Sequence, residues 1–167
     1  MRVKSVPDVK FCLVFPRESL SVPVMRRVLG DTLRRVGVDE ESVYDILLAA
    51  TEACTNVLLH SGRDVRRYTV MTSLGTVGCQ VEVADEGAGT GPAEPEREPV
   101  VLAGRDGPRT ASTIARLPES GRGLAIMRSC VDQVTLDSSP GRGTVVTMRK
   151  HIRWPSDAPL RQLRVAS

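Results

Sequence analysis

Aromatic residues are scarce in this chain: two Phe, two Tyr and one Trp among 167 residues. A single-stranded nucleic-acid platform stacks bases on aromatic rings, and a duplex-binding face clusters its basic residues. Here the arginines are dispersed and the net charge is only +3, so direct contact with DNA is not expected. Cys12, Cys54, Cys79 and Cys130 show no CxxC or Cys/His ligand spacing, which argues against zinc. All four are expected as reduced thiols in or near the core of a cytoplasmic protein. No apolar run reads as a membrane span. The N-terminal MRVKSVPDVKF lacks the apolar core of a secretory signal. Internal repeats are missing, as are a Walker A loop and the full GxGxxG fingerprint. The chain is expected to form a single domain over 1–152, followed by a flexible, basic tail over 153–167.

What is present is organised around Val43 to Ser61, VYDILLAATEACTNVLLHS. Val43, Ile46, Leu47, Ala50, Ala53, Cys54, Val57 and Leu58 recur at helical spacing and form one apolar stripe. Asp39 is a suitable N-cap, and Glu40 and Glu41 suit the positive end of the helix dipole. Glu52 and Asn56 are one turn apart and share a face roughly opposite the stripe. A carboxylate beside a carboxamide offers oxygen ligands to a hard cation such as magnesium. The plainer alternative is that both simply face solvent.

Upstream, Val9 to Phe15 has strand composition. A helix follows, capped by Ser19 or Ser21, carrying Pro23 in its first turn and ended by Gly37. Its Arg26, Arg27, Arg34 and Arg35 read as a solvated basic face. Downstream of Gly62 the period changes to two, giving strands near Tyr68–Ser73 and Val77–Val83 with a hairpin at Gly75. The second strand runs into Asp85-Glu86-Gly87-Ala88-Gly89. Asp85 is an acceptor placed where the sheet stops, able to take a hydrogen bond from an exocyclic amino group such as that of adenine. Gly87 and Gly89 allow close backbone approach, although Asp and Gly also make ordinary turns.

From Thr90 to Ser120 periodicity fades in a Pro-, Glu- and Gly-rich stretch that reads as a lid or as a surface insertion, with a short helix expected at Ser112–Leu117. Ser120-Gly121-Arg122-Gly123-Leu124 then opens a helix, and free amides at such a start suit phosphate, with Arg122 as a charged donor. Strands over Val131–Ser138 and Thr144–Ile152 flank the turn Ser139-Pro140-Gly141-Arg142-Gly143.

Each motif alone is weak, but EACTN, VADEGAG, SGRGLAIM and, from Ser139, SPGRGT stand in one order. That order resembles the GHKL family of Bergerat-fold ATP-binding proteins, and within it the small anti-sigma factor serine kinases of bacteria. The resemblance spans Val9 to Ile152 and implies an α/β two-layer sandwich, a mixed but mainly antiparallel sheet with helices on one face. It implies that ATP lies between helices and sheet, that Asn56 binds Mg2+, and that Glu52 orients or deprotonates an attacking hydroxyl. Asp85 is implied to read adenine, with Gly87 and Gly89 beside it. Gly121, Arg122, Gly123 and Leu124 are implied as the phosphate turn, and Thr144 near the adenine end. The implied partners are a sigma factor, an anti-anti-sigma antagonist of the STAS type and a second copy of the chain. The long lid and the two-glycine phosphate turn depart from the family and bear on transfer rate more than on binding. The alternatives are a binding module that transfers no phosphate and the catalytic fragment of a histidine kinase. The latter is disfavoured because neither His60 nor His151 sits in a phosphoacceptor context. A DNA-active ATPase is disfavoured by length.

Overall fold

The computed structural model describes residues 9–86, 100–103, 121–139 and 143–163. Six strands form one sheet in the order β1-β2-β3-β6-β5-β4. They are β1 Val9–Pro16, β2 Arg67–Leu74, β3 Gly78–Asp85, β4 Val100–Ala103, β5 Gln133–Ser139 and β6 Gly143–His151. Every pairing is antiparallel, so the mixed sheet expected from the sequence is corrected to a wholly antiparallel one among the described residues. The helices among the described residues are α1 Ser21–Arg35, α2 Glu40–His60, α3 Gly121–Cys130 and the short α4 Pro159–Gln162.

The period of two in β2 and β3 fixes which face is buried. Tyr68, Val70, Thr72 and Leu74, with Cys79, Val81 and Val83, point into the core, and Val134, Val146 and Met148 continue it across β5 and β6. Met25, Leu29 and Leu33 of α1 cover this face together with the α2 stripe, within which Val43, Ala50, Ala53 and Cys54 are fully buried. At about 25 cal/mol per Å² of apolar surface removed from water, this layer contact is the dominant stabilising term. Gly75 N–H donates to Gly78 O at 3.0 Å and closes the β2–β3 hairpin where expected.

Several local expectations change. Asp39 caps α2 as expected, accepting from Ser42 N–H at 2.9 Å. Leu20, by contrast, occupies the cap position of α1, because Ser21 turns its hydroxyl to Glu18 O at 2.6 Å and to the buried Tyr68 hydroxyl at 2.5 Å. Burial pushes the Tyr68 phenol up to about 12, against the pull of the Ser21 bond. Arg26 is not simply solvated: it donates to Thr51 Oγ1 at 2.6 Å and to Leu47 O at 3.3 Å, tying α1 to α2. Cys54, Cys79 and Cys130 are buried, but Cys12 is exposed on the uncovered face of the edge strand β1. Part of the expected lid, Val100–Ala103, is strand β4 on the far edge, a run too short for its period to be read. The helix expected at Ser112–Leu117 lies outside the described residues. By length and composition alone, α2 is apolar enough to cross a membrane, which corrects the expectation that no segment is. Half of its most apolar window is buried inside the fold.

The tail is not loose over its first eleven residues. Trp154 Nε1 donates to Gly75 O at 3.0 Å, and Leu160 N–H to Val36 O at 3.5 Å. Ala158 and Leu160 are buried. Gly37 ends α1 at φ 96°, and a Cβ there would stand 2.9 Å from Ala158 Cβ. The segment therefore packs where α1 turns, a contact between residues too far apart in sequence for composition to reveal.

Candidate functional site

A cavity of about 200 Å³ opens between α2 and α3 on one side and β3, β5 and β6 on the other. Its walls are apolar: Ala53 and Val57 from α2, Leu124 and Met127 from α3, and Val83, Leu136 and Val146 from the sheet. Polar groups stand at its ends, Asn56 on one side and Ser61, Asp85, Ser138 and Thr144 on the other, with His60 at the rim. An apolar slot with a few convergent polar groups is the usual shape of a small-molecule site.

Asp85 is the last residue of β3, and both of its carboxylate oxygens are engaged. Oδ2 accepts from Ser61 Oγ at 2.7 Å, and Oδ1 accepts from Thr144 N–H at 2.8 Å. The second bond exists because Gly143 adopts φ 81°, letting the start of β6 pass directly over the carboxylate. A Cβ at Gly143 would land within bonding range of Asp85 Oδ1 and 3.2 Å from its Cγ. Thr144 Oγ1 is paired with Ser138 Oγ at 3.1 Å. The carboxylate is thus fixed at the end of the slot, with lone pairs left for a donor from a ligand.

At the other end, α3 presses its first turn against α2. A Cβ at Gly123 would lie 3.0 Å from Glu52 Oε2 and 3.4 Å from Asn56 Oδ1. Both side chains are half-buried under α3 rather than facing solvent. Asn56 lines the slot, whereas Glu52 stands one turn nearer the N-terminal end of α2 and is not part of its wall. Gly121 is the first residue of α3, Arg122 is exposed beside it, and Leu124 reaches back to the slot. The structure therefore brings Gly123 against Glu52 and Asn56, and Asp85 against Thr144. Asn56, Leu124, Asp85 and Thr144 line one cavity, whereas Glu52, Gly121 and Gly123 stand outside its lining. Gly87 and Gly89 lie outside the described residues.

Two residues beyond the sequence-derived set belong here. In the sequence Gly143 is only part of a turn, and its need for positive φ appears once β6 is seen to cross Asp85. Ser61 carries no signal, since nothing in the sequence says that the end of α2 meets the end of β3. The apolar walls likewise read as core, because a slot and a core are lined by the same residue types.

The donor set suits a nucleotide: an apolar slot for a flat base, a fixed carboxylate at its end, and the Asn56 carboxamide in its wall, with Glu52 and Asn56 both packed closely against Gly123. The family described as histidine kinase-like ATPase domain matches residues 15–150. The chain is similar to a serine-protein kinase RsbW of Bacillus velezensis, 29% identical over 140 residues, covering 82% of each. It is similar to an anti-sigma F factor of Caldanaerobacter subterraneus, 26% identical over 91% of this chain and 97% of that one. A further anti-sigma F factor of Bacillus velezensis is 30% identical over 67% of this chain and 71% of the relative. Among solved structures, the RsbU and RsbW domains of a Mycobacterium tuberculosis protein superpose with a TM-score of 0.60 at 17% identity. That match takes in 88% of this chain and 33% of the longer one, and shows the shared fold. Fold, site geometry and match over residues 15–150 lead to one conclusion: the chain belongs to the family of histidine kinase-like ATPase domains.

Proposed function

We propose that this protein is an ATP-dependent serine/threonine kinase and anti-sigma factor. It holds a sigma factor inactive and phosphorylates an anti-anti-sigma antagonist of the STAS type, which loses affinity once phosphorylated. The observation that carries the reading is the packing of Gly123 against Glu52 and Asn56, with Asn56 in the wall of a slot that also holds the fixed Asp85 carboxylate. The names of the relatives supply the partner class.

In this reading ATP supplies the transferable phosphoryl group, and Mg2+ neutralises charge on the phosphates. Asp85 accepts a hydrogen bond from the exocyclic amino group of adenine, which a 6-oxo base does not offer. The first amides of α3, with Gly121, Arg122, Gly123 and Leu124, cradle phosphate. Asn56 would offer a neutral oxygen to Mg2+. Glu52 orients the antagonist's hydroxyl and takes its proton as the new ester bond forms and the bond to the nucleotide's leaving oxygen breaks. A second copy of the chain is a further proposed partner.

The test is transfer of label from terminally labelled ATP to candidate antagonists, alongside pull-down of sigma factors, for wild type, Glu52→Gln and Asn56→Ala. Glu52→Gln keeps size and polarity, so it should retain ATP and sigma-factor binding and lose transfer by roughly 10²–10⁴-fold, the usual worth of a general base. Asn56→Ala should lose Mg2+-dependent binding and transfer together. Wild-type rates from Glu52→Gln would remove the base from the reading. ATP binding without transfer to any antagonist would leave a regulator that transfers no phosphate.

A further inference from the structure

The wall of the slot at Ser61 is held from behind by a residue that none of the motifs contains. Arg17 follows β1, and its guanidinium reaches the C-terminal end of α2. Its Nη1 donates to Gly62 O at 2.6 Å and to Val65 O at 3.4 Å, and its Nη2 to Leu58 O at 3.0 Å and Ser61 O at 2.9 Å. The last carbonyls of a helix lack intrahelical partners and carry partial negative charge, so a forked cation meets both needs. The Arg17 backbone is itself fixed, its N–H donating to Arg66 O at 2.8 Å just before β2. Ser61 N–H closes the helix on Val57 O at 3.2 Å. Held on its carbonyl by Arg17 and on its amide by Val57, Ser61 has one free arm. That arm is the hydroxyl donated to Asp85 Oδ2 at 2.7 Å.

We propose that Arg17 is a positioning residue for base recognition: through Ser61 it aims the Asp85 carboxylate into the slot without touching the nucleotide. The inference rests on the nucleotide reading above and adds a residue and a route to it. The competing role is a plain helix cap. A cap alone changes folding stability and leaves the selectivity of the folded protein untouched. A positioning role changes affinity for the 6-amino base in particular, and does so only while Ser61 carries its hydroxyl.

The experiment is calorimetric titration of the full chain with ADP and with inosine diphosphate, which has oxygen in place of the 6-amino group. The proteins are wild type, Arg17→Gln, Arg17→Lys, Ser61→Ala and the Arg17→Gln/Ser61→Ala pair, each shown to be folded by circular dichroism at the titration temperature. Arg17→Gln is expected to weaken ADP by roughly tenfold, or ~1.4 kcal/mol, and to narrow the preference for ADP over inosine diphosphate. Arg17→Lys should fall between, because an ammonium cannot fork to several carbonyls. The double variant should bind ADP about as well as the weaker of its two parents, because residues acting along one chain of contacts are not additive. Wild-type selectivity in a folded Arg17→Gln, or additive losses in the double variant, would overturn the proposal and leave a cap. If Arg17→Gln does not fold, Arg17→Lys decides, and wild-type selectivity there overturns it equally. Failure of the wild type to bind ADP at all would refute the nucleotide reading itself, a result independent of every variant.

Discussion

Replacing Gly143 by alanine tests the proposed adenine end of the site with one methyl group. The residue sits at φ 81°, and its missing Cβ leaves the space that Asp85 Oδ1 occupies. Holding alanine in the left-handed region costs about 1–2 kcal/mol. The methyl also cannot coexist with the carboxylate where it stands, so Asp85 must rotate and lose the Thr144 N–H bond of 2.8 Å. A hydrogen bond to a charged group is worth about 1.5–3 kcal/mol. The two effects together come to roughly 2.5–5 kcal/mol, which for a chain of this size lowers the melting temperature by about 5–20 °C. The displaced carboxylate should also lose its proposed bond to the base, again a hydrogen bond to a charged group, and weaken ADP about 10- to 100-fold. Gly62→Ala is the control, because a Cβ there meets nothing within 4 Å. The assay is denaturant unfolding without nucleotide, followed by calorimetry with ADP. A Gly143→Ala protein that unfolds within about 0.5 kcal/mol of wild type, the range of a neutral surface change, and binds ADP normally would refute the reasoning.

Gly123→Ala should separate stability from activity. Its Cβ would meet Glu52 Oε2 at 3.0 Å, while alanine gains about 1 kcal/mol over glycine in a helix, so unfolding should barely move while phosphoryl transfer falls. Thiol titration with an aromatic disulfide at pH 8 should label Cys12 at once, since it is exposed. Burial pushes the Cys54 and Cys79 thiols up to about 12, so they should react only on unfolding, a thiolate being the reactive form; fast labelling of all four would contradict the packing. Asp39→Ala should cost about 1 kcal/mol at neutral pH. Burial raises the Asp39 carboxyl, but the bonds from Ser42 and from its own amide, with the charge of Lys150, together outweigh it and leave the folded value below the ordinary one. The stabilisation is therefore complete above the ordinary carboxylate pKa of about 3.9 and is lost as pH falls through the lower folded value, so urea titrations of wild type and variant should converge in acid. Leu160→Ala should cost about 2–5 kcal/mol, as for other buried leucines; a loss under about 0.5 kcal/mol, typical of an exposed position, would mean that the C-terminal segment does not pack.

Much of the candidate site is legible in the sequence, and for a physical reason. The proposed phosphate and base recognition rests on local devices, a glycine turn opening a helix, an acid at a strand end, two polar residues one turn apart, and each of these fits within a few consecutive residues. The α2 stripe and the alternation in β2 and β3 are legible for the same reason: a period is a short-range property, and it appears with the expected burial. The order of the motifs then carries the family. β4 escapes because four residues are too few to show a period, and the fixed segment at 153–163 escapes because its partners, Val36 and Gly75, lie far back in the chain.

By itself, then, the sequence determined α1, α2, α3 and every strand but β4, and picked out the side chains chemically equipped for the candidate site. Only the tertiary structure decided that Glu52 and Asn56 meet Gly123, that Gly143 passes over Asp85, that Ser61 holds the same carboxylate, and that Arg17 holds Ser61. The difference lies in distance along the chain. A helix or strand is chosen by interactions between near neighbours, whereas these contacts join the ends of separate elements whose relative placement is set by the core between them.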